Sequence, residues 1–191
     1  MTRGLLILFS TIICCVSCSS DHSFDDFISE VPEFESYQYE SELIGYTISL
    51  PQGWTLENSV YEKGFQQEVF LEPSSGDTLT TILVSKYKSV TDKLEEEFEV
   101  HKAYNSNLSE AFEQVATNET DFLPNRSFYS HVSSKKEYRT AQTPGLDMIM
   151  FLTKSENDST FFRLLVTCPK GSEQLQNMGK LMQCVKDLKT N

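Results

Sequence analysis

Gly45-Tyr46-Thr47-Ile48-Ser49-Leu50-Pro51-Gln52-Gly53-Trp54 is the stretch on which the reading of this chain turns. From Leu43 to Leu50 apolar and polar side chains alternate, the period of a strand with one buried face. Pro51 cannot continue a hydrogen-bonded ladder and Gly53 permits a reversal, so the strand ends in a turn. The single Trp of the chain, Trp54, follows that turn and is placed to fold back over the sheet.

Towards the C-terminus the same alternation recurs. Gln67 to Glu72 and Leu79 to Tyr87 read as a hairpin around Pro73-Ser74-Ser75-Gly76-Asp77, the second arm rich in β-branched residues. Ser89 or Thr91 caps a helix from about Asp92, with Leu94, Phe98, His101 and Leu108 as its apolar stripe. Residues 110–120 fit a short helix or a strand equally well. Strands follow at about 125–137, 148–153 and 160–167. Pro169 and Gly171 then precede a closing helix whose buried face is Leu175, Met178, Leu181, Met182, Val185 and Leu188. Sequential hairpins with two helices imply an α+β fold, a mostly antiparallel sheet with helices packed on it.

The opening strand with Pro51, Gly53 and Trp54, and the closing strand, Cys168-Pro169 and amphipathic helix, together resemble the PsbP/Mog-like fold and its DcrB-like bacterial lipoproteins. The resemblance covers roughly residues 43–189 in element order. It implies an α/β/α sandwich and roles in assembly, small-GTPase binding or chaperoning rather than a common catalytic theme. It carries over no binding residue, and fold does not give function.

The N-terminus gives an address. One basic residue, Arg3, precedes apolar runs from Leu5 to Phe9 and from Ile12 to Val16. This has the make-up of a secretory signal and falls short of the roughly 20 apolar residues of a membrane span. Cys15-Val16-Ser17-Cys18-Ser19-Ser20 resembles a bacterial lipobox, with Cys15 where Leu is usual, and marks Cys18 for lipidation. Acyl chains on Cys18 would anchor the protein to a membrane. Plain secretion, with cleavage near Ser19 or Ser20, is the alternative. Residues 1–17 are thus expected to be the signal, 18–41 an acidic tether and 42–191 the globular domain. The tether has no sustained period, only scattered Phe24, Phe27, Phe34, Tyr37 and Tyr39 among acidic residues. The aromatics offer a second role for it, pinning the segment to the domain.

The net charge of −12 argues against nucleic acid and against docking on anionic lipid. A composition of 39% hydrophobic and 12% aromatic residues fits one globular domain and excludes disorder for most of the chain. Cys168 ends a strand and Cys184 lies about three turns into a helix. The axial offset of about 18 Å exceeds the ~7 Å a disulfide tolerates, so two buried thiols are expected.

Catalytic motifs are lacking. The three histidines, His22, His101 and His131, show no metal-ligand spacing, and no nucleophile elbow or phosphate loop occurs. His101 is expected at the core boundary, His131 as a packing or surface residue, and Glu95-Glu96-Glu97 on a solvated helix face. No enzyme activity, cofactor or metal is expected. Asp77-Thr78-Leu79 and Asp158-Ser159-Thr160 resemble the O-glycosylation sites of exported Bacteroidetes proteins, which makes Thr78 and Ser159 candidates for modification. Asp, Ser and Thr are equally ordinary turn residues.

The expected function is a membrane-anchored, non-catalytic lipoprotein of the bacterial cell envelope, at the outer membrane, that binds another protein or assists envelope assembly. Trp54 and Tyr61 are its candidate partner contacts. A ligand-binding lipoprotein of a transport system is the alternative, and an envelope hydrolase the third reading. A flat aromatic surface favours the first, a lined cavity the second and a buried His–carboxylate pair the third.

Overall fold

The structure is a computed structural model, and it describes residues 24–29, 31, 33–72, 80–106, 109–140, 145–155, 159–171 and 173–190. Two antiparallel sheets make its frame. The smaller has β1 (Ser36–Ser41), β2 (Tyr46–Pro51) and β10 (Lys189–Thr190), with β2 in the centre. The larger has seven strands in the order β3-β4-β5-β9-β8-β7-β6. These are β3 (Thr55–Glu62), β4 (Phe65–Leu71), β5 (Thr81–Lys88), β6 (Phe112–Thr120), β7 (Ser127–Ser134), β8 (Leu146–Lys154) and β9 (Thr160–Pro169). Among the described residues three α-helices accompany them: α1 (Phe24–Ser29), α2 (Leu94–Ser106) and α3 (Gln174–Lys186).

The decisive stretch folds as its chemistry requires. Tyr46, Ile48 and Leu50 are fully buried, alternating with half-exposed residues along β2. A turn closes with Trp54 N donating to Pro51 O at 3.2 Å. Gly53 sits in its third position at φ 88°, a left-handed conformation that a side chain would strain. The expected strand start at Leu43 gives way to a turn; Leu43 is 65% exposed and the ladder begins at Tyr46.

The large sheet is covered on both faces. On one, α2 buries Leu94 and Phe98 against Met150, Leu152 and Phe161. On the other, Ile82, Val84, Ile149, Phe151, Phe162, Leu164 and Val166 meet β2, Trp54 and α3 in the main core. Within α3, Met178, Leu181, Met182, Cys184 and Val185 are buried, as is Leu188 just beyond it; Leu175, expected among them, is 61% exposed. Residues 110–120 resolve to a strand, β6, along the β7 edge. Cys168 and Cys184 are unbridged, buried thiols, as the axial offset implied.

Two parts of the sequence reading change. The segment read as a tether contains α1 and β1. All six residues of β1 pair with β2, so the folded unit begins before residue 42. Phe24, Phe27, Phe34, Tyr37 and Tyr39 pack against the main core, which is the pinning role. Aromatics spaced for two short elements in succession show neither a helical nor a strand period over the whole segment. The second change is β3, which no alternation announced: all but one of its eight residues are exposed, so neither face had to be apolar.

Candidate functional site

Three buried carboxylates and one exposed strand are the functional candidates. Glu68 alternates with Phe70 on the inner face of β4 and is 1% exposed. Four hydroxyls converge on it. Tyr46 Oη donates to Oε2 at 2.5 Å; Tyr61 Oη at 2.5 Å, Ser41 Oγ at 3.0 Å and Tyr39 Oη at 3.2 Å donate to Oε1. Burial, reinforced by the carboxylate, raises the Tyr39 and Tyr46 phenols far above their usual range. Tyr61 is raised mainly by its hydrogen bond to Glu68. All three therefore remain donors at physiological pH, and the cluster stitches β1, β2, β3 and β4 together.

Glu97 is the second. Its run of three glutamates was expected in solvent; Glu95 and Glu96 are exposed, but Glu97 shares the face of Leu94 and His101 and is 4% exposed. It accepts from Tyr87 Oη at 2.8 Å and from Ser89 Oγ. His101 Nε2 lies 2.6 Å from Tyr87 Oη and 3.4 Å from Glu97 Oε1. With Tyr87 donating to Glu97, its oxygen accepts from Nε2–H, which suits a neutral ring. Burial and then the Arg163 cation lower the His101 pKa against the opposing pull of Glu97. His101 is the boundary residue expected.

The third is Asp147, at the start of β8. His131 Nε2 lies 3.6 Å from its Oδ1, Lys170 Nζ 3.3 Å from the same atom, and Gln174 Nε2 donates to Oδ2. Burial alone would raise this carboxyl, but His131, Ser133 and Lys170 outweigh it and the pKa is lowered. Asp147 thus ties β8 to the start of α3 through Gln174, with the His131 ring of β7 at ion-pair distance.

The last two are buried His–carboxylate pairs, the feature that would favour a hydrolase, so their geometry matters. In acyl transfer a nucleophile must hydrogen-bond the imidazole, with the carboxylate behind it. Ser89 bonds Glu97 instead, and His101 spends Nε2 on Tyr87. Each cluster joins strands or a strand and a helix.

The depressions lie elsewhere, around the β6–β7 turn. One of about 240 Å³ is lined by Leu123, Pro124, Asn125, Thr153, Leu188 and Thr190 among others. Another of about 470 Å³ runs from Asp92 to Ser155. Most of its charged rim is already paired: Arg126 with Glu95 and Glu119, and Lys93 with Glu96, while Lys154 Nζ donates to the Asp92 carbonyl. Among the described residues no group of three or more His, Cys, Asp or Glu could hold a metal ion.

The residues singled out from sequence separate. Trp54 is 4% exposed, its carbonyl accepting from Tyr37 Oη at 2.8 Å; it is a core residue and offers a partner almost no surface. Tyr61 is 44% exposed, on β3. Ser159 is exposed beside the β8–β9 turn, whereas Cys18 and Thr78 lie outside the described residues. The buried carboxylates had a signal that residue type obscured: Glu68 is in phase with Phe70, Glu97 with Leu94, and Asp147 with Ile149.

No protein-family model and no curated protein sequence matches the chain. Solved structures do. The yeast (Saccharomyces cerevisiae) Ran-binding protein Mog1p aligns over 83% of this chain and 96% of its own, at 13% identity and TM-score 0.56. The PsbP of the cyanobacterium Synechocystis aligns over 85% and 96%, at 12% identity and TM-score 0.55. LpqN of Mycobacterium tuberculosis, involved in cell envelope biogenesis, aligns over 90% and 99%, at 12% identity and TM-score 0.52. Identities this low speak for fold alone, and on the element order, the two covered faces of the sheet and these likenesses the chain has the α+β PsbP/Mog-like fold.

Proposed function

We propose that the protein is a membrane-anchored, non-catalytic lipoprotein of the cell envelope that binds another protein by strand addition along β3. The observation that carries this is the state of β3. It is the edge of the seven-stranded sheet, it pairs only with β4 among the described strands, and seven of its eight residues are exposed. An edge strand presents a row of backbone donors and acceptors that an extended segment can complete. Leu56 and Tyr61, 41% and 44% exposed, supply apolar contact. Glu57 and Glu62 are its only charged residues, on a chain of net charge −12. The fitting occupant is therefore an extended segment carrying Lys or Arg; a second copy would oppose glutamate to glutamate. The register shift between Leu56 and Asn58 guards the edge against self-association and leaves 58–62 as the regular run.

The anchor rests on the lipobox resemblance at Cys18. Likeness in fold to LpqN, which is involved in cell envelope biogenesis, fits an envelope role, and Mog1p is an instance of a binding protein on this fold. The closed geometry of the Glu68 and Glu97 clusters favours binding over hydrolysis.

The test combines mass spectrometry of Cys18 and membrane fractionation with photocrosslinking from Ser59. Expected are an acylated Cys18, release of Cys18→Ala to the soluble fraction, and a crosslinked partner lost in Glu57→Lys/Glu62→Lys while that variant stays in the membrane. An unmodified soluble wild type overturns the anchor. A crosslinked partner retained by the charge-reversed variant overturns the β3 interface.

A further inference from the structure

The short helix after the anchor cysteine is fastened to the domain. In α3, Gly179 leaves room for α1: a Cβ built there would stand 2.0 Å from Val31 Cγ2 and 2.4 Å from the Phe27 carbonyl oxygen. The second is a backbone atom, so no rotamer change relieves it. Phe24, at the start of α1, inserts between Phe122, Tyr129 and Phe151 at centroid distances of 5.0, 4.7 and 5.1 Å. Phe27 and Ile28 add to the main core. Two independent contacts thus fix both ends of α1, one on α3 and one beside the β6–β7 turn.

We infer that α1 is a docking helix that orients the lipid-anchored domain, with the end bearing the β6–β7 turn facing the bilayer and the β3 edge turned away. The inference rests on the proposed anchor at Cys18. Cys18 is six residues from Phe24, at most about 20 Å of extended chain. A tether running to residue 41 would reach about 80 Å. A folded unit of this size has a radius of gyration of roughly 15 Å and so spans roughly 40 Å. With about 20 Å the domain cannot roll over its anchor, and the surface beside Phe24 stays proximal. That surface is the β6–β7 turn, Asp121 to Arg126. In the large sheet β3 lies five strands from β7, about 24 Å away at the usual spacing. Strand addition at β3 would then take place clear of the bilayer.

The test uses the mature lipoprotein in vesicles of phosphatidylethanolamine and phosphatidylglycerol that carry a headgroup-nitroxide lipid. A thiol-reactive dye is placed at Pro124→Cys beside Phe24 or at Glu57→Cys on β3, the buried Cys168 and Cys184 being spared in the native state. Nitroxide quenching several-fold stronger at position 124 than at 57 is expected. Gly179→Ala should equalise the two sites while the protein stays bound. Because that substitution also alters α3, Phe24→Asp, which disrupts the aromatic nest and leaves the α3 sequence unchanged, should do the same. Equal quenching in an acylated, membrane-bound wild type overturns the docking and leaves the anchor standing. Retention of the contrast in both variants also overturns α1 as its cause. A soluble wild type with an unmodified Cys18 overturns the anchor and the orientation with it. In that last case exchange protection of amides 24–29 would show whether α1 still docks.

Discussion

Tyr46 Oη lies 2.5 Å from Glu68 Oε2, and through that bond the central strand of the small sheet is tied to β4 of the large one. Both residues are almost fully buried, so the pair is the innermost link of a cluster that also takes hydroxyls from Ser41, Tyr39 and Tyr61. Removing Glu68 would orphan all of these donors. The exposed hydroxyls would recover water; those of Tyr46 and Ser41 would not. Each buried polar group left unsatisfied costs about 1–3 kcal/mol. Glu68→Ala should therefore destabilise the fold by about 2–5 kcal/mol in urea unfolding, Tyr46→Phe by about 1–2, and Tyr61→Phe by less than either.

Trp54 was a plausible partner contact from its place after a turn, and its burial makes a different demand. It packs with Leu50, Phe70 and their neighbours in the main core. Truncation to Ala removes a large apolar surface and leaves a cavity, at about 3–5 kcal/mol for an aromatic core residue. Thermal unfolding of Trp54→Ala should show that loss. Crosslinking of a partner at β3 should be unchanged at temperatures where the variant is folded.

What the sequence disclosed and what it concealed follow from burial. Strands with one fully buried face, such as β2 and the β-branched β5, advertise themselves because burial dictates residue type. β3 is wet on both faces, so nothing in Thr55–Glu62 had to alternate and its eight residues carry no strand signal. In α1 and β1 the burial is real, but each element is six residues long, too short to establish a period against the acidic residues between the aromatics.

The candidate site was legible only in part. Tyr61, a candidate contact from sequence, stands on the exposed strand, yet its bond to Glu68 crosses seven residues and a hairpin. Glu97, expected on a solvated face with its two neighbours, has a residue type that masks its phase. Glu97 follows Leu94 by three and precedes His101 by four, the spacing of one helix face. The pairing of Asp147 with His131 depends on strand register across β7 and β8, which the sequence does not carry locally.

The thiols offer a probe of folding rather than of chemistry. Cys168 and Cys184 are 0% and 1% exposed, and burial, with the Asp187 charge added, pushes the Cys184 thiol up to about 12. Since the thiolate is the reactive form, neither exposure nor ionisation favours attack on Cys184. Alkylation at pH 8, read peptide by peptide in the mass spectrometer, should be negligible at both residues in the native protein. It should become complete in denaturant and rise first in variants such as Trp54→Ala. Rapid native alkylation of Cys184 would contradict its place in α3.

His101 should give stability a pH dependence of definite sign. It faces Tyr87 on β5, Glu97 on its own helix and Arg163 on β9, and burial with the Arg163 charge holds it below its usual 6.5. The unfolded chain therefore takes up this proton at a higher pH than the folded one. The stabilisation is fully present above about pH 6.5 and is lost as pH falls through the lower folded value. Glu97 opposes the shift, so replacing Glu97 with Gln should lower the His101 pKa further and widen the window. Urea midpoints measured from pH 8 to pH 5 should fall less steeply in His101→Gln than in wild type. The difference between the two curves isolates His101 from the other groups they share. Parallel curves would mean that the ring is protonated in the folded state at the same pH as in the unfolded chain, with Tyr87 accepting from a cation rather than from a neutral imidazole.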